Sequence, residues 1–243
     1  MSIVLGEKEI ELVDSSLKKI LEEEITKIKT SVSGYIKKKS TKGISQMIGR
    51  RYGYMWESMA VLVFELTQKE KFGGCVMFQE YIDAYSAHFV KLNNLNDCCM
   101  EATLKLSDEI YEKTGTKKQD LCDLTYKKGN IEYGIDAKFR FRSNDSKTVR
   151  QIAFSAEQLK FLGYEPMLLF RKDRKESLKS PINRFEKAGW KIVCGQDSLD
   201  FIKTNTGFDL GGWIEANINI WDELQNYQED LKRLRIDEEN WKF

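Results

Sequence analysis

Apolar residues recur at helical spacing through the first half of the chain. They fall every three or four positions over residues 7–30, with charged residues between them, which predicts an amphipathic helix. A basic, glycine-bearing stretch follows over residues 34–53, and an apolar pattern then predicts a helix over residues 54–71. Two more helical patterns cover about residues 76–92 and 95–113. The first half is therefore predicted to be mostly helical.

Beyond residue 119 the pattern changes to strands that alternate with helices. Residues 121–126 and 131–141 are strand-like, and the sequence Lys127-Lys128-Gly129-Asn130 between them is a strong hairpin signal. A helix, a strand, a helix, a strand and a helix follow, over about residues 149–162, 167–170, 181–188, 191–194 and 214–234. This order predicts an α/β (α+β) fold in which a mixed central β-sheet is flanked by helices, with helical additions at both ends.

The composition is that of a globular protein. The 243 residues include 39 Lys+Arg and 38 Asp+Glu, which leaves a formal net charge of +1, and 41% of the residues are apolar. Disordered chains have fewer apolar residues or a larger net charge, so disorder is excluded. We expect one domain over residues 1–243, made of a helical, basic region (1–53), a core (54–194) and a helical extension (195–243).

Cysteine usage and hydropathy indicate the cellular compartment in which the protein is expected. The five cysteines include no CxxC pair, and the single histidine, His88, offers little to a zinc site or a Ser-His triad. No run of 18 apolar residues occurs, and the N-terminus turns acidic too early for a signal peptide. We therefore expect a cytoplasmic protein without a membrane partner.

The predicted hairpin brings two carboxylates and an ammonium together. If its two-residue turn is Gly129-Asn130, Asp123 faces Asp136, with Cβ atoms about 5 Å apart, and Lys138 shares their face because side chains alternate. Two like charges so close need a neutralising partner, and Mg²⁺ binds through one or two carboxylates plus a substrate phosphate. The lysine would then stabilise a metal-bound hydroxide or the negative charge on that phosphate, and would position or deprotonate the nucleophile. The alternative is a solvated ion pair on an exposed sheet face.

This arrangement, followed by a helix and the strand MLLF, resembles the PD-(D/E)xK nuclease superfamily over about residues 54–194. The resemblance implies that Asp123 is the first acid of the motif, Asp136 the second and Lys138 the lysine. It also implies that Asp123, Asp136 and Ala137 hold a Mg²⁺ cofactor. Many members carry a further catalytic glutamate on a helix before the hairpin, and Glu57 fits that place.

Some positions depart from the motif or leave a choice. Cys122 stands where the motif has proline, and Asp136 replaces the commoner glutamate. Asp120 is a second choice for the first acid. Glu57 has an alternative role as a solvated glutamate in the first turn of its helix, where the helix dipole favours negative charge.

Within the superfamily, a free-standing chain of this size is similar to type II restriction endonucleases, which implies a homodimer that cuts double-stranded DNA at a short site. The alternatives are a repair, phage or structure-specific nuclease on the same core, and a non-catalytic helical DNA-binding or adaptor protein. The apolar face of residues 214–234 is either a dimer surface or packs on the core. Two basic clusters are the predicted DNA contacts, namely Lys37, Lys38, Lys39, Lys42, Arg50 and Arg51, and then Arg140, Arg142, Asn144, Lys147 and Arg150.

Overall fold

A computed structural model describes residues 3–37, 43–92, 105, 120–141, 146–236 and 243 of the chain. Within these residues the α-helices are α1 (Glu7–Lys37), α2 (Ile44–Thr67), α3 (Phe78–Leu92), α4 (Ser146–Phe161), α5 (Lys179–Ala188), α6 (Gln196–Thr206), α7 (Leu210–Asn217), α8 (Ile220–Glu223) and α9 (Gln228–Arg233). The strands are β1 (Phe72–Gly73), β2 (Val76–Met77), β3 (Asp120–Cys122), β4 (Leu124–Lys128), β5 (Ile131–Lys138), β6 (Glu165–Phe170) and β7 (Lys191–Cys194).

Five of these strands form one mixed sheet, in the order β1-β4-β5-β6-β7. Strand β4 is antiparallel to both β1 and β5, whereas β6 runs parallel to both β5 and β7. Strands β2 and β3 form a separate antiparallel pair. The expectation of a mixed central sheet flanked by helices is confirmed.

Strand β6 is buried on both faces because it lies between β5 and β7 and helices cover the sheet from both sides. Met167 and Leu169 belong to the core that contains the apolar faces of α1 and α2. Leu168 and Phe170 belong to the second core, which contains residues of α4 and α5. The alternation follows from the two-residue repeat of a strand, and burial on both faces explains the unbroken apolar run.

Helix α2 begins at Ile44, well before the predicted start at residue 54. The stretch 34–53 reads as polar, yet Ile44, Ile48 and Tyr52 are fully or almost fully buried at helical spacing and join the core that includes α1. Helix α1 likewise continues to Lys37. The predicted helix over residues 95–113 and the loop over residues 114–119 lie outside the described residues, apart from residue 105.

The C-terminal region differs from the single long helix that was predicted. Helix α6 forms where no element was expected, and residues 214–234 are divided among α7, α8 and α9. Ile220, Leu224 and Leu231 are buried in the core shared with α1 and α2. The apolar face of this region therefore packs on the core of its own chain. Among the helices of the described ranges, none is both long enough and apolar enough to cross a membrane.

Trp56 connects α2 to the sheet through a hydrogen bond. Its side chain is fully buried, and its indole Nε1 donates a hydrogen bond to the carbonyl oxygen of Leu169 in β6, at 3.0 Å. Glu57 is the next residue along α2. The hydrogen bond of Trp56 therefore also sets where this glutamate stands relative to the sheet.

We expect Trp56→Phe to lower the free energy of unfolding by about 2 kcal/mol, because it removes a buried hydrogen bond and part of a fully buried side chain. Urea unfolding monitored by circular dichroism measures the change. Tyr54→Phe, at an exposed position of the same helix, is the control and should stay within about 0.5 kcal/mol of the wild type. Equal stabilities of the two variants would contradict the anchoring role of Trp56.

Candidate active site

The pairing between the two strands of the hairpin is interrupted at Asp123. Through β4 the hairpin keeps the register that its two-residue turn predicts, as far as Leu124 opposite Ile135. The N–H of Asp123 also donates to the Ile135 carbonyl (2.9 Å), so Asp123 and Leu124 share one partner, as in a β-bulge. Asp123 therefore does not continue the ladder to stand directly opposite Asp136, which corrects the predicted pairing.

The strands around this point are shorter than predicted. The run over residues 121–126 is divided into β3 and β4, and the ladder of β3 is formed with β2 and not with β5. Strand β5 ends at Lys138, short of residue 141. A cleft lies at this point, and β3, β5, α2 and α4 all line it.

The three predicted motif residues meet in this cleft. The Asp123 carboxylate accepts a hydrogen bond from the Ala137 N–H at 2.6 Å. Lys138 forms an ion pair with the buried carboxylate of Asp136, and its Nζ lies 3.9 Å from Oδ2 of Asp123. The Lys138 ammonium thus lies close to both carboxylates, and the bulge at Asp123 does not separate these three groups.

The charges in this group change one another's affinity for protons. Burial raises the pKa of Asp123 well above its ordinary value, and the negative charge of Asp136 raises it further. Burial alone would lower the pKa of Lys138, but the charges of Asp136 and Asp123 outweigh that effect, so its pKa lies above the ordinary value. Lys138 is therefore a stable ammonium here, whereas Asp123 favours a bound proton or cation.

Glu57 reaches the same cleft from α2. Burial raises its pKa; the Lys138 ammonium acts against that shift, while the Asp136 and Asp120 carboxylates add to it. Glu57 lies near the middle of α2, so its alternative placement in the first turn of a helix is wrong. The effects of Lys138, Asp136 and Asp120 on its pKa mean that Glu57 lies near the other charged groups of the site.

A cavity of about 310 Å³ joins these residues. Its far wall is formed by polar side chains of α4, which sequence reasoning missed: Thr148, Gln151 and Ser155. These three positions recur at helical spacing and form a polar stripe on α4. That stripe was the signal that could have pointed to them.

Asp120, the rival for the first acid, also borders the cavity. It is exposed and stands opposite Met77 in the small β2–β3 pair. Asp123, in contrast, bonds to Ala137 and lies next to Lys138. The contacts therefore favour Asp123 as the acid that acts with Asp136.

The donor set of the cleft fits Mg²⁺ rather than a metal with a full set of protein ligands. In the part of the chain that the structure describes, no three His, Cys, Asp or Glu side chains group as a metal centre. Mg²⁺ needs only one or two carboxylates together with waters and a substrate phosphate, and Asp123 and Asp136 provide these carboxylates. The N–H of Ala137 points toward Asp123. Because the N–H and C=O of a strand residue point to the same side, the Ala137 carbonyl points to that side as well. Burial raises the pKa of Cys122 to about 12, which does not suit a thiolate ligand.

The predicted DNA-binding residues are only partly within the described chain. Arg140 follows β5 directly, and Lys147 and Arg150 are exposed on the first turns of α4, the helix that lines the cavity. Five of the predicted residues lie outside the described ranges, namely Lys38, Lys39, Lys42, Arg142 and Asn144.

The remaining basic residues of the first cluster stand on α1 and α2. Lys37 ends α1, and Arg50 is exposed on α2. Nη1 of Arg51 lies 3.5 Å from Oε2 of the buried Glu24 of α1. Arg51 thus contributes to the pairing of the two helices, so a role in DNA binding is not needed to explain its charge.

The chain matches no protein-family profile, no curated protein and no solved structure. Membership of the nuclease superfamily therefore stays a prediction made from the motif. Because a fold alone does not determine an activity, function is inferred from the groups that the cleft brings together.

We expect Asp123→Asn to raise the free energy of unfolding above neutral pH by on the order of 1 kcal/mol, because it removes a buried negative charge beside Asp136. The folded-state pKa of Asp123 exceeds that of an unfolded aspartate, so the protonated group stabilises the fold and this contribution is lost as pH rises through the folded-state pKa. The gain should therefore disappear at acid pH. Urea unfolding in EDTA over a range of pH measures it.

The matched control for this variant is Asp200→Asn, at an exposed position of α6. Its stability should follow that of the wild type at every pH. An Asp123→Asn protein that is less stable than the wild type above neutral pH would contradict the charge repulsion inferred for the cleft.

Proposed function

We propose that this protein is a Mg²⁺-dependent endonuclease of the PD-(D/E)xK type that hydrolyses phosphodiester bonds of double-stranded DNA. The observation that carries the proposal is the meeting of Asp123, Asp136 and Lys138 in an open cleft at the bulge of the hairpin. Two carboxylates and an ammonium at one point, with space beside them, suit the binding and hydrolysis of a phosphate ester.

Asp123 and Asp136 would hold the Mg²⁺ ion, and the Ala137 carbonyl is the third candidate ligand. When bound, such an ion lowers the pKa of a coordinated water and offsets negative charge on the phosphate. The raised pKa of Asp123 is consistent with a carboxylate that gains from a cation beside it. Both aspartates must be ionised to do so, which makes binding of the ion weaker at acid pH.

Lys138 acts as a hydrogen-bond donor to the phosphate rather than as a base. Its raised pKa keeps it an ammonium at neutral pH, so it has protons to donate and no free lone pair to accept one. It is held in place by Asp136 before any substrate arrives. A donor fixed in advance stabilises the charge that grows on a phosphate under attack.

Glu57 accepts a proton from the attacking water. Its pKa is raised above the ordinary value of a glutamate, which brings it closer to the working pH of a general base. It enters the cleft from α2, on the opposite side from the polar stripe of α4. Thr148, Gln151 and Ser155 of that stripe offer hydrogen bonds to the remaining phosphate oxygens or to water.

A type II restriction endonuclease that works as a homodimer is the particular form of this activity that we favour. The support is that the described residues hold one such set of charged groups, so a second copy would be needed to cut both strands of a palindrome. The apolar face of residues 214–234 is covered by the core of its own chain, so a dimer would use another surface.

We expect Asp136→Asn and Lys138→Met each to lower the rate of DNA cleavage by at least about 100-fold while the protein stays folded, because each removes one charged group from the phosphate site. The assay is gel electrophoresis of plasmid and phage DNA with Mg²⁺ and with EDTA. Discrete Mg²⁺-dependent bands would indicate site-specific cleavage, and a smear would indicate a repair or non-specific nuclease on the same core.

Glu132→Gln and Lys128→Gln at the far end of the same hairpin are the controls for these variants, and both should cleave at the wild-type rate. Cleavage at the wild-type rate by either cleft variant would overturn the assignment. Intact DNA with the wild-type protein, for linear, plasmid and branched substrates alike, would favour the non-catalytic alternative.

We expect Glu57→Gln to lower the cleavage rate by about 100-fold, because an amide cannot accept the proton of the attacking water. Single-turnover cleavage at saturating DNA measures this effect apart from binding. Glu65→Gln is the matched control, since Glu65 stands on the same helix and borders the neighbouring cavity that Glu57 also lines. If the two variants cleave at equal rates, Glu57 is not a catalytic residue.

A further inference from the structure

Three cations stand together just beyond the candidate active site: Arg140, Arg171 and Lys172. Arg171 and Lys172 follow β6, and their N–H groups donate to the carbonyls of Lys138 and Phe139, each at 3.0 Å. Arg140 is two residues past Lys138 on the neighbouring chain segment. The cluster is thus attached to the same strand ends that carry the catalytic lysine.

A group of aromatic rings lies beneath these cations. Phe139 stacks on Phe243 with ring centroids 5.2 Å apart, and Tyr52 contacts both rings. The Arg140 guanidinium and the Lys172 ammonium lie 5.7 and 5.5 Å from the centre of the Phe139 ring. The Arg171 guanidinium lies 5.9 Å from that of Phe243. Contacts of this kind hold the charged groups over the rings, on side chains that are half-buried.

Carboxylates lie near this cluster, and Glu176 is the foremost of them for both Arg171 and Lys172. Within the described ranges, neither Arg171 nor Lys172 forms an ion pair, and Nε of Arg171 is buried without a hydrogen-bond partner. Burial lowers the pKa of Lys172; Glu176 acts against this shift, and the charges of Arg171 and Arg140 add to it. Like charges held so close destabilise the protein unless an anion joins them.

We propose that Arg140, Arg171 and Lys172 form a phosphate-backbone site, which binds the DNA phosphates that neighbour the one at the cleft. This inference rests on the proposed function, since it takes the phosphodiester backbone of duplex DNA as the ligand. The site positions the duplex on the protein and does not read its sequence.

The spacing of the cluster suits this ligand. Two residues of extended chain separate the Cα atoms of Lys138 and Arg140 by at most about 7 Å. Phosphates advance along one DNA strand by about 3.4 Å of helix axis per nucleotide. A strand with one phosphate beside Lys138 therefore presents phosphates to the cluster within about one to three nucleotides.

The chemistry of the three cationic side chains also suits the binding of phosphate groups. A guanidinium binds two phosphate oxygens at once through parallel N–H donors, and an ammonium provides a point charge. The aromatic rings restrict the side chains before DNA arrives, which reduces the entropy lost on binding. The buried Nε of Arg171 leaves its terminal nitrogens as the donors for phosphate oxygen.

The test is the salt dependence of DNA binding, measured by fluorescence anisotropy of a labelled duplex of about 30 base pairs in EDTA, so that no cleavage occurs. The proteins are the wild type, Arg171→Gln, Lys172→Gln and the double variant. Loss of one phosphate contact should reduce the slope of log K against log salt by about 0.9, and loss of both by about 1.8. The reduction should be equal for duplexes of different sequence.

Lys128→Gln is the matched control, because it removes the same charge at the opposite end of the hairpin, and its slope should equal that of the wild type. Arg171→Lys keeps the charge at that position and should retain the slope, which separates loss of charge from a folding defect. Thermal unfolding verifies that each variant is folded.

Slopes of Lys172→Gln and of the double variant that equal the slope of Lys128→Gln would overturn this inference and leave the proposed function standing, since the wild type would still bind DNA. A wild-type protein that binds no duplex at low salt would overturn both. Slopes reduced in the cluster variants alone, with cleavage still dependent on Asp136, would support both.

Discussion

Two aspartate carboxylates in one partly buried cleft repel each other, and the rest of the structure depends on how this repulsion is contained. The Lys138 ammonium pairs with Asp136 and stands near Asp123, which offsets part of the cost. Burial, and after it the charge of Asp136, raises the pKa of Asp123, so part of the repulsion remains. Such a group persists only where packing elsewhere is firm, and here β6 is covered on both faces by two cores.

The bulge at Asp123 explains how one cleft receives groups from both sides of a sheet. A continuous ladder would separate α2 from α4, because the sheet lies between them. At Asp123 the ladder between β4 and β5 ends, β3 pairs with β2, and both helices border the cleft. Glu57 of α2 and the polar stripe of α4 both line this cleft, so the site lies where the ladder of the main sheet ends.

Local signals predicted the hairpin well, because a two-residue turn determines the register of the strands beside it. The break at Asp123 depends on β2, about fifty residues earlier in the chain, so no local pattern indicated it. Gly49 and Gly53 obscured the start of α2, although Ile44, Ile48 and Tyr52 show helical spacing. Arg171 and Lys172 form no motif, and only the pairing of β6 with β5 brings them beside Lys138.

The hairpin also has a consequence for the order in which the protein acquires its site during folding. Asp123, Asp136 and Lys138 are close in sequence and are joined by a hairpin, a structure that closes within about 1–10 µs in isolation. Glu57 must wait until α2 docks on the sheet, and the cations after β6 until a parallel strand has joined β5, a slower, non-local step. The like-charged pair therefore belongs to a short segment of chain, whereas the groups around it reach the site only through contacts between residues far apart in the sequence.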